Sequence, residues 1–169
     1  NNKIMKTIQK IALLLILTIS YNCKAQRIDD ATYISYYNSI VPTLNDLATN
    51  KAQFYGQNFN SFYAAIVNNN LTVLNIGINP KIASSRFNYV LTLKFAEYDL
   101  IRYGIDRGYQ HPVIHITFVN AIPDQVSDIN LQHKGRWNTE YQQFFSNMII
   151  ESIEFGGING YNNPDRTPR

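Results

Sequence analysis

The sequence predicts an α+β fold, with N-terminal and C-terminal helices packed on a small, mainly antiparallel sheet of three to four strands. Three observations carry that reading. Apolar residues recur at helical spacing from Tyr33 to Ile66, alternate with polar ones across the middle of the chain, and return to helical spacing after Gly135.

From Asp29 onward, Tyr33, Tyr37, Ile40, Leu44 and Leu47 fall at spacings of 4, 3, 4 and 3, which is one face of a helix. Pro42 lies inside this pattern, where it removes a backbone donor and crowds the preceding turn. The stretch is therefore a kinked helix or two helices meeting at Pro42. After Gly56, the residues Phe59, Phe62, Tyr63 and Ile66 mark a second helix. Asn68-Asn69-Asn70 stops it, because asparagine side chains compete for backbone hydrogen bonds.

The period then changes. Leu71 to Ile78 reads as a strand, with Leu74, Ile76 and Ile78 alternating against Asn75 and Gly77. Beyond Asn79-Pro80, Phe87, Tyr89, Leu91, Leu93 and Phe95 alternate, and the short link makes the two strands an antiparallel pair. Ala96 to Arg107 reads as a short helix, with Glu97 and Asp99 in its first turn, Arg107 in its last and Gly108 closing it. Gly104 opposes that reading, and an extended course through Ile101, Tyr103 and Ile105 stays open. Pro112 to Val119 is a third strand, dense in β-branched residues. With 96–107 helical, it can run parallel to the second strand through a crossover.

Ala121-Ile122-Pro123-Asp124 is a turn, and the stretch from there to Gly135 is ambiguous. A last helix, capped by Asn138 or Thr139, carries Trp137, Tyr141, Phe144, Met148 and Ile149 on its apolar face. Gly156-Gly157 ends it. Residues 161–169 are a polar, flexible tail, which leaves 26–160 as a single domain.

The first residues read as an export signal. Lys6 and Lys10 form a basic start after Met5, and Ile11 to Ile19 is an apolar run interrupted only by Thr18. That run is about half the length a helix needs to span a bilayer. Cys23 and Ala25 are small residues suited to cleavage before Gln26, so 5–25 is the expected signal peptide. The competing reading makes Cys23 a lipid attachment point, but Asn22 and the bulky Tyr21 fit that signal poorly. Cleavage discards the chain's single cysteine, so the mature domain has no disulfide and no thiol chemistry.

Cleavage also reverses the charge. The 15 Lys and Arg lose Lys3, Lys6, Lys10 and Lys24, which leaves 11 against 12 Asp and Glu. A near-neutral domain without a basic run offers nucleic acid no phosphate-binding surface, and it has no polybasic membrane patch. The remaining chain of about 144 residues is long enough to bury a core without staples.

Candidate chemistry is sparse. His111 and His115 stand four apart, a metal-binding spacing on a helix, but on a strand they lie about 13 Å apart at ~3.3 Å per residue. No metal or cofactor is expected. Ser85, His115 and Asp106 can be assembled into a hydrolytic set only by choice, since no nucleophile elbow is present. Glu151 and Glu154, at i and i+3 of the last helix, read as a solvated face rather than a glycosidase pair. One segment concentrates ligand-binding residue types: His133-Lys134-Gly135-Arg136-Trp137-Asn138 brings two cations, an imidazole and an indole to a helix start, where an anion can dock. Against that reading, Trp137 is in phase with the apolar face and Lys134 and Arg136 suit a soluble loop.

The functional expectation is an exported binding or interaction module, periplasmic or extracellular, with His133, Lys134 and Arg136 as the ligand-binding residues. Its partner is a small molecule or a protein rather than nucleic acid. The alternative is a small hydrolase in which His115 or His133 meets a carboxylate through folding.

Overall fold

The computed structural model describes residues 28–169. The expected signal over 5–25, its cleavage point and Cys23 lie outside the described residues.

Helix α1 (Asp30–Thr49) begins where Asp29 accepts a hydrogen bond from the Thr32 amide at 2.8 Å. It runs unbroken through Pro42, whose side chain faces solvent. Its stripe of Tyr33, Tyr37, Leu44 and Leu47 is buried as the spacing predicts. A single 3-10 turn (Lys51–Phe54) leads to α2 (Phe59–Asn68), capped by Asn58 and buried through Phe59, Phe62 and Ile66. The asparagine stop works through the backbone: Asn70 adopts a left-handed φ of 58°.

Four antiparallel strands follow, each paired with the next in sequence: β1 (Asn75–Pro80), β2 (Asn88–Lys94), β3 (Val113–Phe118) and β4 (Ile150–Gly156). One face carries Ile76, Leu91, Leu93, Ile114, Ile116, Ile153 and Phe155 into a core completed by Leu44, Leu47, Phe59, Phe62, Tyr141 and Phe145 from the helices. Helices therefore pack on one face of a small sheet.

Two local expectations need correction, and one open stretch is resolved. Ala96 to Arg107 does contain a helix, α3 (Tyr98–Asp106), but β3 is antiparallel to β2. The helix turns back over α1, where Gly104 lets the Tyr33 ring approach, so the chain returns to the end of the sheet it had just left. The ambiguous stretch before Gly135 holds a helix, α4 (Val126–His133). The last helix, α5 (Thr139–Phe145), stops well short of Gly156, and the expected helical residues Ile149 to Phe155 lead into and form β4. Ser146 turns its hydroxyl onto the Gln143 carbonyl at 2.8 Å, ending α5, and the β-branched isoleucines that follow pair with the free edge of β3.

Both sheet edges are covered. At β1, Ile76 donates to the Gly135 carbonyl and Trp137 donates to that of Leu74. At β4, Phe155 and Arg169 exchange both backbone hydrogen bonds, at 2.8 and 3.0 Å. The polar tail is thus laid along the sheet edge rather than standing off it. Among the described residues, no helix is long and apolar enough to cross a membrane.

Candidate functional site

Directly opposed residues of antiparallel strands share a face, so the register defines the surface away from the core. One rung runs Gly77, Thr92, His115, Glu154 across all four strands. Its neighbour runs Asn75, Lys94, Val113, Gly156. These are the residues between the apolar positions of each strand, and of them Asn75, Thr92 and Val113 are buried.

A cavity of about 390 Å³ lies on this face, with Thr92, Lys94, Gln110, His111, His115 and Arg166 among its walls. Arg166 comes from the C-terminal tail and donates to the Gly108 carbonyl at 2.8 Å. Gln110 holds the tail in place: its Nε2 donates to the carbonyls of Asn163 and Asp165, both at 2.6 Å. Those two acceptors fix the orientation of the amide. Its Oε1 is then a buried acceptor without a hydrogen bond, the one such side-chain atom among the described residues.

His115 is oriented by a relay. Asn79 donates to Thr92 Oγ1 at 3.1 Å, and Thr92 Oγ1 lies 2.9 Å from His115 Nδ1. Spending the threonine hydrogen on Nδ1 satisfies all three groups and leaves the ring proton on Nε2. Beside that atom, residue 156 is glycine, where an added Cβ would crowd Val113 Cγ2 at 3.1 Å and stand in ordinary contact with Nε2 at 3.5 Å. Burial holds the His115 pKa below the ordinary value, with Lys94 adding to the effect and Glu154 across the rung opposing it. Burial also lowers His111, reinforced by Lys94, His115 and Arg166. Both imidazoles are therefore neutral donors and acceptors near neutral pH, beside the fixed cation Lys94.

His111 and His115 share this cavity, which sequence reasoning missed. Among the described residues, no group of three or more His, Cys, Asp or Glu is placed to hold a metal ion. The set Ser85, His115, Asp106 is not assembled. Ser85 Oγ is bonded within its own turn to Phe87, Asp106 pairs with Arg102 at 3.8 Å, and Thr92 occupies Nδ1 of His115, where a triad needs a carboxylate. Glu151 and Glu154 stand on a strand, where Glu151 grips Lys81 at 2.6 Å and Glu154 faces His115.

The segment 133–138 is placed differently. His133 Nε2 meets Glu140 Oε2 at 2.8 Å on the surface. Arg136 lies 3.4 Å from Glu97, and Lys134 takes the left-handed position that ends α4. The first amides of α5 are taken up by Asn138, whose Oδ1 accepts from Glu140 and Tyr141. Trp137 is half-buried, stacked on Tyr141, and donates to the Tyr63 hydroxyl at 2.9 Å. The segment's backbone caps the β1 edge. An incoming anion finds the helix start already satisfied and Glu140 beside it.

Comparison of the chain with protein-family models, with curated proteins and with solved structures returned no match.

Proposed function

We propose that this chain is a binding module of an exported protein, periplasmic or extracellular, and that it takes a small anion on the outward face of its sheet. The supporting observation is the convergence of Lys94, His111, His115 and Arg166 on one cavity with no carboxylate among its walls. Its size is within the range of small-molecule sites. The hydrolase reading asks one imidazole to have both a cleft and an acid within hydrogen-bond reach. Here the two requirements fall on different residues: His115 has the cleft, and His133 has the acid.

Calorimetric titration with acetate and with inorganic phosphate tests the site. Lys94→Gln and His115→Gln should each weaken binding roughly tenfold, the value of one charge-assisted hydrogen bond. The double variant Lys134→Ala/Arg136→Ala should bind within about twofold of the parent, because those side chains lie outside the cavity walls. The opposite pattern would move the site to residues 133–136, and absence of binding by every anion would end the reading.

A further inference from the structure

A second cavity, of about 310 Å³, adjoins the first. Its walls are Lys94, Tyr98, Ile101, Arg102, Ile105 and His111, so Lys94 and His111 belong to both. The character of the walls changes across these two residues. On the sheet side they are polar; on the α3 side they are largely apolar. Tyr98, Ile101 and Ile105 fall at spacings of three and four, a stripe along one side of α3. The rest of α3 is already used in packing, with Gly104, next to Ile101 around the helix, against the Tyr33 ring and the Tyr103 hydroxyl donating to Asp30 at 2.7 Å. Ile101, in the middle of the stripe, is buried and anchors the helix, whereas Tyr98 and Ile105 on either side of it remain 67% and 54% exposed. Apolar side chains left at the mouth of a pocket, rather than scattered singly, mark a binding surface.

Charge narrows the occupant further. Neither cavity has a carboxylate in its walls, and the nearest acid the register places on this face is Glu154, across the rung from His115. Arg102 lies 3.8 Å from Asp106, and Arg166 spends a donor on the Gly108 carbonyl. Lys94 has no ion-pair partner among the described residues, and it sits where the two cavities meet. Lys94 is the cation common to both cavities, so an anionic head placed there leaves the rest of the ligand free to reach the α3 side.

Resting on the site reading above, we propose that the ligand is an amphipathic monocarboxylate, with its carboxylate at Lys94 and His111 and its apolar part along Tyr98, Ile101 and Ile105. The stripe is about 10 Å long at 1.5 Å per helical residue, the reach of a medium-chain aliphatic acid or a short aryl acid.

The test compares octanoate, acetate and octanamide, each titrated into the full domain below any micellar concentration. Octanoate should bind at least tenfold more tightly than acetate, and octanamide should bind weakly because it lacks the charge. Ile105→Ser and Tyr98→Ser should each lower octanoate affinity severalfold toward the acetate level. Both positions are exposed, so thermal melts should match the parent and exclude unfolding as the cause. Equal affinity for acetate and octanoate would overturn this inference and leave the anion site standing, as would octanoate binding that ignores both serine variants. If neither acid binds, both readings fall. If octanamide matches octanoate, the groove is only an apolar sink and the carboxylate assignment is wrong.

Discussion

Gly157 is where the backbone geometry makes its most demanding claim. It has a φ of +68°, which L side chains adopt at a cost, and an added Cβ would overlap the His111 carbonyl oxygen and stand 2.6 Å from its carbonyl carbon. The obstacle is backbone, so it cannot swing aside as a side chain can. Gly108 supplies the control: its φ is +71°, yet no heavy atom lies within 4 Å of the added Cβ. Gly108→Ala should therefore cost only the left-handed conformation, about 1–2 kcal/mol. Gly157→Ala adds the overlap, worth roughly another 1–3 kcal/mol, the usual range for forcing extra volume into a packed site. Urea denaturation of both variants reads the difference from the midpoints, provided the slopes agree. The variant should also lose anion affinity, because His111 can relieve the clash only by moving out of the cavity wall. Equal destabilisation by the two alanines would refute the close approach of the two backbones.

Two further outcomes follow from the same features. Burial, reinforced by Lys94 and Arg166 and opposed at His115 by Glu154, holds His111 and His115 below their unfolded pKa of 6.5, so the unfolded chain binds more protons as pH falls through 6.5. The melting temperature should hold above about pH 7.5 and drop between about pH 7 and 5, and a His111→Gln/His115→Gln variant should flatten that drop; a parent that gains stability on acidification contradicts the burial of both rings. Export should yield a protein beginning at Gln26, read by intact-mass analysis, and a diacylglyceryl adduct on Cys23 would place it on a membrane surface instead.

What the sequence displayed of the fold depended on how regular each element is. The stripe of α1 and the alternation of β2 through Leu91 and Leu93 are regular, and the extra residue in the β1–β2 ladder, Tyr89, falls near the start of β2, so their periods can be read directly. β4 is different. Its pairing shifts between Thr117 and Phe118, whose partners are Ser152 and Ile150, so Glu151 is an extra residue in the ladder. Ile150 and Ile153 consequently both face the core although they stand three apart, which is helical spacing. The bulge disguised a strand as the continuation of a helix. α4 buries only Val126 and Ile129, a single turn's worth of signal, and gives periodicity nothing to count.

The site was hidden for a related reason. Alternation in β2 was read for its apolar half, Leu91 and Leu93, which builds the core. The other half, Thr92 and Lys94, carries no signal of its own, because polar residues on a strand ordinarily mean only solvent. Their significance comes from register, which places Thr92 opposite His115 and Lys94 opposite Val113. Register across β2 and β3 depends on how the chain folds back through α3, and nothing in the local pattern specifies that return. A one-residue slip would bury His115 and turn Ile114 or Ile116 outward, so the apolar positions that fix the core also fix the row of polar groups on the far face. Segment 133–138 stands out in the sequence because its ligand-binding residue types are contiguous. The cavity residues come from β2, from β3 and the approach to it, and from the tail, so no contiguous segment carries them. A site assembled across strands carries no motif, and its only sequence trace is the identity of the residues between the apolar ones.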